Sequence, residues 1–175
     1  AQANQDRVGL VLFSQGIMTR IRPGKGRRHG MRILQTLLDY QAKESGTDLV
    51  KTVDQFLNIA RKRAIVFMIS DFLVQNPAHA LEHLAHQHDT TAVRITNPSP
   101  PKSILKMLAP LQDAESGAKK ISTLGAIYRQ EVPNLQAIES ANMDILNIET
   151  GENSAERLLQ FFRHRQRLIS NETGG

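Results

Sequence analysis

The sequence predicts an α/β fold, a mostly parallel sheet with an antiparallel edge and helices packed against it. Three observations carry that prediction. Ala64-Ile65-Val66-Phe67-Met68-Ile69-Ser70 is an uncharged, mostly apolar run without alternation, the pattern of a parallel strand covered on both faces. Strand-like runs alternate along the chain with stretches whose apolar residues recur at helical spacing. Asp71 then arrives where the central strand should stop, and open α/β sheets bind ligands at the carboxyl ends of their strands.

The elements follow in order. Val8-Gly9-Leu10-Val11-Leu12-Phe13, entered from Asp6-Arg7, is a short apolar strand. Ser14-Gln15-Gly16 is a turn signal, and the alternation from Ile17 to Ile21 suits an exposed edge strand closing a hairpin with the first. Arg22 to Gly30 is a basic, glycine-rich loop, after which Met31, Ile33, Leu34, Leu37 and Leu38 repeat as the apolar face of a helix. Ser45-Gly46-Thr47-Asp48 ends that helix and starts another. Ser45 with Asp48 resembles a capping box with Asp in place of Glu. Leu49, Val53, Phe56, Leu57 and Ala60 form the buried face of this second helix. Beyond the central strand, Asn76-Pro77 opens a helix with Asn as cap and Pro in the first turn, and Ala80, Leu81, Leu84 and Ala85 face inward. Asp89 to Ile95 is the next strand.

Asn97-Pro98-Ser99-Pro100-Pro101 is an irregular linker. Leu108 to Gln112 and Ala118 to Ser122 flank Asp113-Ala114-Glu115-Ser116-Gly117 as a β-hairpin. Residues 123–141 read as a helix, with Pro133 marking a kink or a late start. Met143 to Ile148 is a final strand and Ser154 to Leu168 a C-terminal helix. The expected organisation is a single domain over residues 1–170 and a disordered tail over 171–175.

A chain of 175 residues suffices for one domain with a real core, and its composition is ordinary for a globular protein. The net charge of +5 permits an acidic partner but falls short of a dedicated nucleic-acid binder. The absence of cysteine excludes disulfides and thiolate metal sites. No apolar run approaches the ~20 residues of a membrane helix, and no signal peptide is visible. The chain starts at Ala1 and enters a strand almost at once, so it reads as a piece of a longer protein. A cytoplasmic location is expected.

Thr47 and Asp71 are the first candidate site. A hydroxyl and a carboxylate on two loops suit magnesium, which takes oxygen ligands, keeps several waters and often uses only one or two carboxylates. The plainer reading makes Thr47 a helix-start residue and Asp71 a turn cap. Asp71 is not needed to start the next helix, because Asn76-Pro77 already does so. The glycines at 24, 26 and 30 could cradle a phosphate at a helix N-terminus, but no Gly-Lys-Ser/Thr ends the loop, and a solvated basic turn or a docking patch for an acidic surface explains it better. His79, His83 and His86 share a helix face that could hold zinc or nickel; with Ala80, Leu81 and Leu84 defining the buried face, a solvated polar face is the plainer account. Arg157, Arg163, His164, Arg165 and Arg167 make the C-terminal helix basic, with Leu158, Leu159, Phe161 and Phe162 as its core face. Two Tyr, six Phe and no Trp, most at core-like positions, leave no stacking element for nucleic acid. No Gly-x-Ser-x-Gly elbow, catalytic Cys or His-Glu-x-x-His occurs, so no enzyme is expected.

Taken in order, Asp6 to Phe13, Gly26-Arg27-Arg28-His29, Gly46-Thr47-Asp48-Leu49, Ile69-Ser70-Asp71-Phe72 and His88-Asp89-Thr90-Thr91-Ala92-Val93-Arg94 resemble the bacterial DUF58 family, whose core is a von Willebrand factor A-like domain. Asp113 to Gly117 and the ending Leu158 to Arg165 are similar to its C-terminal part. The resemblance implies a Rossmann-like three-layer sandwich whose first central strand is missing here. In the wider A-domain family a magnesium ion is held by a first-strand Asp-x-Ser-x-Ser, a Thr on a second loop and an Asp on a third. Thr47 and Asp71 match the second and third roles, and no Asp-x-Ser-x-Ser occurs in the chain. Metal binding is therefore expected in the full-length protein and weak or absent in this chain alone. The resemblance further implies a non-enzymatic interaction domain working with a MoxR-type AAA+ ATPase in assembly of a protein complex. A missing central strand implies an open sheet edge, hence a homodimer through that edge. A nucleotide-binding α/β enzyme using Gly24 to Gly30, or a basic nucleic-acid-binding domain, are the alternatives.

Overall fold

A computed structural model describes residues 6–41, 46–74, 77–96, 108–112, 119–123 and 135–172. The chain divides into two compact units, Ala1–Arg61 with Pro110–Ile121 and Lys62–Ala109 with Ser122–Gly175. Each is described by itself.

In the first unit, β1 (Val8–Phe13) and β2 (Ile17–Gly24) form the expected antiparallel hairpin, with register shifts between Val8 and Leu10 and between Leu12 and Phe13. β2 runs three residues beyond the expected edge strand, through Arg22 and Pro23 to Gly24. Helix α1 (Arg27–Asp39) begins at once, so Gly30 lies inside its first turns and is buried. The expected loop from Arg22 to Gly30 is thereby reduced to Lys25 and Gly26. Helix α1 departs from expectation in packing as well: Met31, Leu34, Leu37 and Leu38 are exposed, Leu38 to 84%. Only Ile33 among the five apolar positions is half-buried. Helix α2 (Leu49–Ile59) packs as its periodicity predicts, with Leu49 and Val53 buried and Phe56, Leu57 and Ala60 half-buried.

The second unit holds a parallel sheet of β3 (Ile65–Ser70), β4 (Asp89–Thr96) and β7 (Asp144–Glu149), in the order β3-β4-β7. Register partners in a parallel sheet share a face. One face carries Ile65, Phe67, Ile69, Thr91, Val93, Leu146 and Ile148; the other carries Met68, Thr90 and Ala92. Helix α3 (Ala78–Gln87) meets the second face, where the Thr90 hydroxyl donates to the Leu84 carbonyl at 3.4 Å. The C-terminal helix α4 (Ser154–Glu172) covers the first, packing Leu158 and Phe161 on Val93, Leu146 and Ile148. Helices on both faces of a parallel sheet are the layering the sequence predicts.

β3 corrects one expectation. It is not covered on both faces: Ile65 is 64% and Ile69 60% exposed, and Phe67 is exposed as well. α4 lies over β4 and β7, and its Phe162 ring meets Phe67 of β3 edge-on at 5.7 Å between centroids. Among the described residues β3 is also the end strand of its sheet.

β5 (Leu108–Gln112) and β6 (Lys119–Thr123) form a separate two-stranded sheet where the hairpin was expected, β6 one residue late. The helix expected over 123–141 is overturned at its start, since Thr123 is in β6, and helix is present over 135–140. Pro133 and the linker Asn97 to Pro101 lie outside the described residues. α4 continues through Asn171 and Glu172, two residues into the expected tail.

Candidate functional site

Thr47 belongs to the first unit and Asp71 to the second, so neither unit holds the pair by itself. Thr47 sits half-buried between Gly46, at φ 91°, and the start of α2. The capping role is taken by Asp48, whose carboxylate accepts the Lys51 N–H at 2.9 Å. The expected capping box is thus replaced by a simple Asp cap, and Ser45 lies outside the described residues. With Asp48 as cap, Thr47 is not the helix-start residue of the plainer reading, and its hydroxyl makes no hydrogen bond among the described residues.

The loop is tied to the β1–β2 turn. The Asp48 N–H donates to the Ser14 carbonyl at 2.8 Å, and Ser14 N–H to the Gly16 carbonyl at 2.9 Å. Gln55 of α2 accepts the Ile17 N–H at 2.7 Å. Gly16, at φ 140°, approaches Gln55 so closely that a Cβ there would stand 3.0 Å from its Oε1. The Ser14 hydroxyl is buried without a hydrogen-bond partner among the described residues. Such an orphan costs about 1–3 kcal/mol unless water or an ion satisfies it. In the sequence Ser14 reads only as a turn residue; the burial of its hydroxyl is a tertiary outcome that no local pattern announces.

In the second unit, Asp71 stands exposed at the carboxyl end of β3, as predicted. Its Oδ1 accepts the Leu73 N–H at 3.1 Å and the Ser70 hydroxyl at 3.5 Å. The turn-cap reading is therefore realised, and it leaves the second carboxylate oxygen without a hydrogen bond among the described residues. The Ser70 Oγ in turn accepts the Phe72 N–H at 3.0 Å. Phe72 has φ 57° and is 1% exposed. A bulky residue in the left-handed region is a real outlier, held here by its buried ring and by Ser70. Strain of this kind fixes the direction of the preceding residue, which is Asp71. Sequence reading missed Phe72 because αL geometry usually announces itself through Gly or Asn.

A hydroxyl such as that of Thr47 and a carboxylate such as that of Asp71 are each oxygen donors of the type magnesium takes. Among the described residues no group of three or more His, Cys, Asp or Glu could hold a metal.

In the basic segment the space over Gly24 is taken up by a side chain, while Gly26 stands open. A Cβ at Gly24 would stand 2.6 Å from the His29 ring, so the imidazole fills the space over that glycine. The His29 Nε2–H donates to the Val8 carbonyl at 2.7 Å, closing β1, β2 and α1 together. Arg22, Lys25, Arg27 and Arg28 are exposed around it. The C-terminal helix is partly neutralised: Arg165 pairs with Asp89 and, at 3.0 Å, with Asp144, and Arg157 pairs with Glu152 at 3.4 Å.

The family described as a protein of unknown function, DUF58, matches residues 1–141. The chain belongs to the DUF58 family. An uncharacterized protein of Mycobacterium tuberculosis is 24% identical over 174 residues, covering 93% of this chain and 55% of its own length. An uncharacterized protein of Mycobacterium avium is 26% identical over 162 residues, covering 86% of this chain and 96% of its own. The chain thus spans about half the length of the first relative. Two crystal structures share the fold: the conserved hypothetical protein BatB of Bacteroides thetaiotaomicron, with TM-score 0.52 and 13% identity over 89% of this DUF58 chain and 76% of that one, and an aerotolerance-related membrane protein of Bacteroides fragilis, with TM-score 0.50 and 15% identity over 88% and 77%. Among the described residues of the DUF58 chain, no helix is long and apolar enough to cross a membrane.

Proposed function

We propose that this DUF58 chain is part of a non-enzymatic, von Willebrand factor A-like protein-interaction domain working with a MoxR-type AAA+ ATPase in assembly or maturation of a protein complex. The observation that supports it is Asp71: an exposed carboxylate at the end of a parallel strand, aimed by a strained turn, with one oxygen left over. In the full-length protein Thr47 and Asp71 would hold a magnesium ion. The ion would supply an open coordination position for an acidic side chain of the partner. Asp71 contributes charge and direction, Ser70 and Phe72 hold it in place, and the Thr47 hydroxyl contributes a neutral donor. The open edge of β3 is proposed to pair with a second copy.

The test is binding of the full-length protein to the MoxR-type ATPase with and without Mg2+, repeated with Asp71→Ala. Magnesium-dependent binding that disappears in the variant supports the reading. Metal-dependent binding that survives the substitution sinks it. The His29 ring over Gly24 weighs against the nucleotide alternative.

A further inference from the structure

The outer face of α3 carries His79, Glu82, His83 and His86, all exposed. Spacings of three and four residues place them in one stripe. The helix beneath is well anchored. Ala80, Leu81 and Leu84 are buried, the Leu81 N–H donates to the Pro77 carbonyl at 3.0 Å, and the His88 N–H to the Leu84 carbonyl at 2.9 Å. Within the stripe, the rings of His79 and His83 are already in contact, their centroids 4.2 Å apart and their planes tilted by 47°.

We infer that His79 and His83 form a chelating pair for a borderline divalent transition ion, with water completing the coordination. Imidazole nitrogen suits Cu2+, Ni2+ and Zn2+, whereas magnesium takes oxygen, so this pair is chemically distinct from Thr47 and Asp71. One turn of helix brings both rings to the same side, and the broad χ2 torsion of histidine lets each turn a nitrogen toward an ion at about 2.0–2.1 Å. The chain has no cysteine to compete for the same ions. Two protein ligands leave open positions, so the site captures and exchanges its ion rather than stapling the fold, as closed four-ligand sites do. Copper(II) binds tightest, following the general order of divalent affinities.

The test is calorimetric titration of the untagged chain with CuCl2 and, separately, ZnCl2, with electron paramagnetic resonance of the copper complex. The expected result is one ion per chain and superhyperfine structure from two nitrogens. His83→Ala should weaken binding about a hundredfold, because the second imidazole no longer acts intramolecularly, while His86→Ala leaves it unchanged. Both substitutions are at exposed positions, and an unchanged melting temperature without metal verifies the fold. A His83→Ala variant that titrates like the parent chain overturns the inference, as does a single-nitrogen copper signal.

Discussion

His88 is buried at the junction of α3 and β4, 1% exposed, and its Nδ1 accepts the Ala64 N–H at 3.3 Å. Burial, with the Arg63 charge adding to it, holds its pKa below the ordinary 6.5. Protonation would place a charge in the interior and remove the acceptor that Ala64 uses. The unfolded chain takes up this proton first, near the ordinary value. Stability from the neutral ring is therefore fully present above that value and is lost as pH falls below it, until the lower folded pKa is reached. The melting temperature should fall as pH drops through and below the ordinary 6.5, and His88→Gln should flatten that slope while starting lower. A parent chain and variant with parallel profiles would remove His88 as the cause. At this same scale Asp71 was legible in the sequence, since an acid after an apolar run is a local pattern. Phe72, Ser14 and His29 were not. Their roles come from φ angle, burial and a neighbour over a glycine, each set by tertiary contacts.

At the scale of the element, strands and helices were readable where periodicity is local, and their ends were not. β2 absorbed Arg22 to Gly24 and α1 absorbed Gly30, because hairpin pairing and the His29 contact outweigh the turn preference of Gly and Pro. The start of α2 is the clearest case. Ser45 and Asp48 both have side chains that cap, and spacing alone cannot choose between them. The structure chooses Asp48, which bonds Lys51 N–H through its carboxylate and receives the Thr52 hydroxyl on its carbonyl at 2.7 Å. Its own N–H is held by the Ser14 carbonyl, a backbone bond that loss of the side chain leaves in place. Asp48→Ala should cost about 1 kcal/mol, measured by urea unfolding, and Asp48→Asn should recover most of it. Equal loss in both variants would mean that charge, rather than capping, is the source.

For the molecule as a whole, the decisive feature is the outer edge of β3. A continuous apolar run told the sequence reader that this segment is a strand, but whether anything covers it depends on elements elsewhere. Among the described residues no strand pairs with β3 on the side away from β4. Ile65 and Ile69 stand exposed on the face that α4 covers over β4 and β7. An unpaired strand edge with apolar side chains templates pairing with another chain. Self-association of this chain is therefore expected, with the weight-average mass in light scattering rising with concentration. Ile69→Lys places a charge on the exposed face beside the edge and should hold the chain monomeric without lowering its melting temperature, because Ile69 is 60% exposed and leaves no cavity when replaced. A parent chain that stays monomeric across the range removes self-pairing. Association that persists unchanged in Ile69→Lys moves the interface elsewhere, toward the exposed Met31, Leu34 and Leu38 of α1.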